Sequence, residues 1–350
     1  MVDLINNQNK FMENKFKYFI GIDISKLSLD VSLMIDGKIQ FHSCISNTNK
    51  SIKQLLNKLY KNFDLVLDQS IFCMEFTGIY GNNIINYLSK ENAQMWLESG
   101  THMKRSLGMV RGKNDELDSK RIADFAYTNT HKLKLYKAPR TALKELKVLL
   151  GERKRYMKCK KQITCAINEQ NQFLDKGLIK KSFARTMLLV DELREQIAII
   201  EADINTLIRE DKELKRLYKI VTSVDGVGLL TAVELIVTSE EFKKISDPKK
   251  YGCYCGVVPF DHQSGTSVRG KNRVSNMANK QVKTTLHMAA LSAIRMKGDL
   301  RDYYLRKVAD GKNKMLVINA IRNKMVLRIF ACVRENRMFQ KEYEYNLVEP

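Results

Sequence analysis

Apolar and polar positions in the first third of the chain alternate between two periods. "KYFIGIDISK" and "SLDVSLMID" are short β-rich runs, and Asp36-Gly37 offers a hairpin turn before "KIQFHSCIS". "NTNKSIKQLLNKLYKN" switches to the helical period, with Ile52, Leu55, Leu56 and Leu59 on one face behind an Asn or Thr cap. "SIFCMEF" then predicts a strand, "NNIINYLSKEN" a helix and "AQMWLES" a fifth strand. After the basic loop "MKRSLGMVRGKN", "DELDSKRIADFAYTN" predicts another helix.

Beyond Pro139 the texture changes to long helical segments with few breakers. Val190, Leu193, Ile197, Ile200, Ile204, Leu207, Leu214 and Tyr218 keep the three-four spacing of a coiled-coil seam, interrupted at Asp211. Gly177 stands between two such stretches, which predicts an antiparallel helical hairpin with a narrow apolar stripe suited to a dimerising arm. The last third opens with "VTSVDGVGLLTAVELIV". There Gly226 and Gly228 suggest a helix-hairpin-helix turn whose backbone N–H groups could face a DNA phosphate; a plain tight turn fits the same residues. The expected organisation is a polar tail over 1–16, a mixed α/β domain over 17–138, a coiled-coil arm over 139–218 and a mostly helical domain over 219–350.

Composition narrows the partners. The 350 residues are 44% apolar with 4 Pro, as a folded, helix-rich protein requires, and the formal charge is +21. That excess of one sign makes a polyanion the first partner to consider. No apolar run approaches the ~20 residues a membrane span needs. The first 16 residues lack the apolar core of a signal peptide. Seven cysteines at 44, 73, 159, 165, 253, 255 and 332 offer no zinc-site spacing and read as reduced, mostly buried thiols in a cytoplasmic protein.

Four acids belong together. Asp23 interrupts the apolar strand "FIGIDIS", where an uncompensated charge is costly, and Glu75 ends "FCMEFTG". Asp115 and Asp118 lie one turn apart at the start of a helix, where the dipole alone would favour them. Three antiparallel strands followed by strand-helix alternation is the order of an RNase H-like sheet, in which the first and fourth strands are neighbours. That arrangement would gather Asp23 and Glu75, with the aspartate pair laid over them. Crowded carboxylates repel unless a cation intervenes, and oxygen donors without His or Cys suit Mg²⁺ or Mn²⁺. Lys26, Lys104, Arg105, Arg111 and Lys113 cluster around these positions and could hold a nucleic-acid backbone.

In "VPFDHQSGTSVRGKNR", Ser264-Gly265 precedes Arg269, Lys271 and Arg273. The cations suit a phosphate backbone. Ser264 itself reads either as ordinary turn chemistry or as a nucleophile, and His262 either as a solvent-facing residue or as a proton shuttle. Tyr251 and Tyr254, just upstream, are competing nucleophile candidates.

"GIDISK", "MEFTGIY", "RGKNDELD" and "YCGVVPFDHQSGT", in this order and spacing, resemble the DEDD transposases of the IS-one-ten insertion-sequence family, which includes the Piv-type DNA invertases. The resemblance runs from about residue 17 to about 300. It implies a RuvC-like (RNase H fold) domain with Asp23, Glu75, Asp115 and Asp118 as ligands of Mg²⁺, and a serine transposase domain with Ser264 as nucleophile. It also implies an oligomer, dimer or tetramer, in which domains of different subunits combine into one active site. The implied partners are double-stranded donor and target DNA and a structured noncoding bridge RNA. Departures are local: Asn114 stands where the family has Thr, Ser119 where Ala is common, and Ala278 and Lys283, the latter among the candidate nucleic-acid contacts, where a Gly and an Arg are usual. A RuvC-like nuclease using water, a DNA invertase and a noncatalytic binder are the alternatives to a transposase.

Overall fold

A computed structural model describes residues 15–76, 78–106, 108, 114–264 and 268–340; for 261–264, 268, 269, 271 and 272 it describes the backbone alone. The polar tail therefore lies almost wholly outside the described residues. The chain divides after Ala138 into two compact units.

The first unit is a five-stranded mixed sheet. Strands β1 (Tyr18–Ile24), β2 (Ser28–Ile35) and β3 (Lys38–Ser46) form an antiparallel meander, turned at Asp36-Gly37 where both residues adopt positive φ. Strands β4 (Ser70–Glu75) and β5 (Met95–Glu98) add in parallel beside β1, giving the order β3-β2-β1-β4-β5. This order is consistent with an RNase H-like transposase domain.

Helices α1 (Asn49–Phe63) and α2 (Asn82–Lys90) cover one face of that sheet. Thr48 caps α1 by accepting from the Ser51 N–H at 3.3 Å. Ile52, Leu55, Leu56 and Leu59 meet Ile20, Ile22, Val31 and Leu33 in one apolar cluster. The opposite face carries α3 (Gly100–Ser106) and α4 (Asp115–Thr128), with Met103, Ile122, Ala123 and Phe125 packed on Phe19, Ile71, Cys73 and Trp96. Alternation along β1 therefore sends Tyr18, Ile20 and Ile22 to one layer and Phe19, Gly21 and Asp23 to the other.

The second unit begins with two long helices, α5 (Thr141–Phe173) and α6 (Lys176–Glu210), packed on each other as a hairpin. The break falls at Leu174 and Asp175 rather than at Gly177. Asp175 caps α6 by accepting from the Gly177 N–H at 2.6 Å, so the glycine lies inside the helix. Asp211 ends α6 and caps α7 (Lys212–Thr222), which explains the interruption of the apolar seam. Val190, Ile197, Ile200 and Ile204 are buried along that seam.

Helices α8 (Leu229–Thr238), α9 (Pro248–Tyr254), α10 (Lys280–Ala293), α11 (Asp299–Ala309) and α12 (Lys314–Arg334) complete the unit. A β-hairpin of β6 (Phe260–Ser264) and β7 (Val268–Arg273) stands between α9 and α10. Leu143, Leu146, Ile200, Ile204 and Ile208 share one core with α7 to α12, so the base of the helical hairpin is built into this unit.

The thiol expectation is corrected in part. All seven cysteines are free, but only Cys73, Cys255 and Cys332 are buried. Cys44 lies on the edge strand β3, and Cys159 and Cys165 lie on the exposed side of α5, positions that core packing does not claim. No helix among the described residues is long and apolar enough to cross a membrane.

Candidate active site and nucleic-acid interface

Parallel pairing of β1 with β4 matches Ile22 to Met74, so Asp23 and Glu75 follow at the next position on the face that carries α4. Helix α4 reaches this face closely because Gly21 has no side chain. A Cβ there would overlap the Ser119 carbonyl oxygen and the Ala123 nitrogen. Ser119 Oγ lies 2.7 Å from Ser32 Oγ on β2, a hydrogen bond between two fully buried side chains. Asn114 caps the helix by accepting from the Leu117 N–H at 2.7 Å, which places Asp115 and Asp118 in its first turn.

The result is an acidic cluster on one sheet face. Asp23 is half-buried, and its carboxyl is pushed up to about 6, first by burial and then by the charges of Asp115, Asp118 and Glu75. Among the described residues, however, no three His, Cys, Asp or Glu side chains converge as a ligand set. Asp118 meanwhile holds Arg121 at 2.9 Å. A half-buried carboxylate raised by three like charges, in an all-oxygen donor set, fits a hard divalent cation.

Three features here went unread in the sequence. Asp30, buried and paired with His42 at 3.2 Å, lies directly across the ladder from Asp23. Glu98 is the β5 partner of Glu75 and holds His102 at 3.3 Å. Gly100 opens α3 against Glu75, whose carboxylate would overlap any Cβ there. The polar run Asp30, Ser32 on the α4 side of β2, alternating with buried Leu29, Val31 and Leu33, carried that signal for Asp30.

Among the predicted nucleic-acid residues, Lys26, Lys104 and Arg105 are exposed around this face, whereas Arg111 and Lys113 lie outside the described residues. In the second unit Ser264 ends β6, with its backbone opposite Val268. Its side chain and those of His262, Arg269 and Lys271 lie outside the described residues, as does Gly265, while Arg273 is exposed. Gly226 adopts φ +83 and packs on α10, where a Cβ would meet the Ala289 carbonyl and Ala293 at 2.5 and 2.7 Å. Packing thus accounts for that glycine. Gly228 is exposed in open space before α8. Tyr251 is fully buried with its hydroxyl 2.6 Å from Thr238 Oγ1, and Tyr254 accepts from Asn279 at 2.8 Å. Burial pushes both phenols up, and packing accounts for Tyr251.

A mixed sheet with acids gathered where a helix crosses its first strand is consistent with an RNase H-like domain. A transposase family model of DEDD type (IS110) matches residues 20–178, and the Transposase IS116/IS110/IS902 family model matches residues 218–305. The chain belongs to this IS110 family of transposases, the IS-one-ten family of the motifs, whose members act on DNA. It is similar to the pilin gene-inverting protein of Moraxella bovis, 23% identical over 332 residues, covering 93% of this chain and 98% of that relative. It also resembles the insertion element IS110 uncharacterized 43.6 kDa protein of Streptomyces coelicolor, 27% identical over 163 residues, 47% of this chain and 38% of the relative.

Proposed function

We propose that this protein cuts and rejoins DNA through a covalent serine intermediate, as the transposase of an insertion sequence. The observation that carries the reading is the acidic face of the first unit, where Asp115, Asp118 and Glu75 raise Asp23. Asp23, Glu75, Asp115 and Asp118 would hold Mg²⁺ or Mn²⁺. Such an ion supplies Lewis-acid stabilisation of the charge on a phosphodiester during displacement.

Ser264 would attack the phosphorus. The Oγ–P bond forms as the bond from phosphorus to one deoxyribose oxygen breaks. That oxygen takes a proton and leaves as a hydroxyl end, while the serine proton passes to solvent. The linkage retains the phosphoester, so rejoining needs no nucleotide cofactor. Arg269, Lys271 and Arg273 on β7 would bind flanking phosphates, joined by Lys283 on α10. Lys26, Lys104, Arg105, Arg111 and Lys113 would hold nucleic acid near the acids. Exposed Phe173, Leu178 and Leu188 near the hairpin end of α5 and α6 support a homo-oligomer. The family resemblance and the net charge of +21 support a structured guide RNA, which should copurify with the protein and disappear on RNase treatment.

Inversion is the second reading, favoured by the similarity to a pilin gene-inverting protein along 93% of the chain. Both readings use the same chemistry. A gel assay on DNA carrying the element ends tests it: Asp23→Asn and Ser264→Ala should each abolish cutting. Cutting that survives in Ser264→Ala but not in Asp23→Asn would mean a nuclease that uses water.

A further inference from the structure

Arg322 on α12 is a buried cation that no carboxylate among the described residues pairs with. Its side chain is nearly inaccessible at 4% exposure. Nη2 lies 2.7 Å from His287 Nδ1, and Nη1 donates to Asn319 Oδ1 at 3.3 Å. Nε has no partner, and no carboxylate pairs with the guanidinium among the described residues. Burying a guanidinium this way is costly unless something else supplies negative charge. Glu234, a buried carboxylate of the same unit, accepts instead from Gln281 at 3.1 Å.

More donors surround it. An Arg can only donate, so His287 Nδ1 accepts and its proton sits on Nε2. Lys283 precedes His287 by one turn on the same face of α10. Burial and then Arg322 lower the pKa of both, as expected where cationic groups crowd together. The Lys283 side chain lies against Gly256, at 3.8 and 3.9 Å (Cδ and Nζ) from where a Cβ would stand. Asn319 Nδ2 donates to the Val257 carbonyl at 2.8 Å and fixes this strand of chain over α12. Two residues beyond Val258 begins β6, which ends at Ser264.

We propose that Arg322, with His287 and Lys283, forms a phosphate-binding site that takes one DNA backbone phosphate at the root of the β6–β7 hairpin. The chemistry is that of an oxyanion met by a guanidinium, an ammonium and an imidazole N–H. The assignment to DNA rests on the reading of Ser264 as the nucleophile; the anion site itself rests on Arg322 and the donors beside it. A purely structural Arg322 would only tie α12 to α10.

The full-length protein separates the two roles. Inorganic phosphate should raise the melting temperature of the wild type above that in chloride at matched ionic strength. Arg322→Met should lose that response and, freed of an uncompensated charge, melt higher in chloride. Duplex DNA should bind about tenfold more weakly to Arg322→Met and to Lys283→Met, and each should flatten the log–log salt dependence by about 0.9. If Arg322→Met does not fold, Lys283→Met and His287→Ala carry the test.

No phosphate response in the wild type, or unchanged affinity and salt slope in the variants, would overturn the site. Weakening confined to RNA would overturn the DNA assignment. A phosphate response that Arg322→Met abolishes, in a protein that never links covalently to DNA, would keep this site and remove the nucleophile reading. A covalent link without a phosphate response would do the reverse.

Discussion

Ser119 Oγ and Ser32 Oγ stand 2.7 Å apart in a fully buried hydrogen bond that joins helix α4 to strand β2. Ser119 follows Asp118 directly, and Ser119 Oγ also lies 2.8 Å from the Glu116 carbonyl. Ser32 is the ladder partner of Gly21, the residue whose missing side chain admits the helix. Together the three residues set the height and rotation of the helix that carries two of the four acids.

Ser119→Ala should therefore cost about 1–2 kcal/mol, because it strands the Ser32 hydroxyl in a dry site. Adding Ser32→Ala should recover part of the loss. Urea unfolding of the two single variants and the double variant measures the coupling, expected at about 1 kcal/mol.

Gly21→Ala should be worse for function than for folding. The added methyl meets helix backbone, which must shift, at a cost of about 1–3 kcal/mol in denaturant unfolding. Displacing α4 carries Asp115 and Asp118 away from Asp23. DNA cutting should then be lost in a protein that retains its far-UV circular dichroism.

The sheet and its helices are readable in the sequence because their signals are local. Ile52, Leu55, Leu56 and Leu59 keep a helical period, and Asp23 stands out as a charge in an apolar strand. Partnership was not readable. Alternation in "LDVS" puts Asp30 on the α4 side of β2, but that it faces Asp23 appears only when the strands pair. Arg322 likewise looks like one more cation on a helix until α10 brings His287 to it. Gly177 marks the stretch of the helix break because a flexible residue is visible in sequence, whereas its place at Leu174 and Asp175 depends on a cap that needs three-dimensional geometry.

In the metal-free protein, the stability that Asp23 contributes should fall as pH rises from about 4 to above 6. Asp23, pushed up to about 6, keeps its proton in the native state where the unfolded chain has released it. Its contribution is thus complete below the unfolded value near 3.9 and is lost through the folded one, an effect on the order of 1–3 kcal/mol. Asp23→Asn should flatten this slope, and Mg²⁺ should restore stability above pH 6 in the wild type only. Thermal unfolding across this pH range reads both.

Arg140 binds Asp211 at 2.7 and 3.1 Å and reaches buried Glu241 through Nε at 2.9 Å, tying the start of α5 to the α6–α7 break and to the turn after α8. Arg140→Met should destabilise the second unit by about 2 kcal/mol, less than a fully buried pair because the guanidinium is partly exposed and Lys243 still holds Glu241. Calorimetry should show the loss in the second unit's unfolding alone.

The most direct measurement traps the reaction on labelled DNA in SDS, digests the product and maps the attached nucleotide by mass spectrometry. The account predicts a phosphodiester on Ser264, formed with Mg²⁺ and lost in both Ser264→Ala and Asp115→Ala. A nucleotide on any other residue, or an adduct that persists in Ser264→Ala, would contradict it.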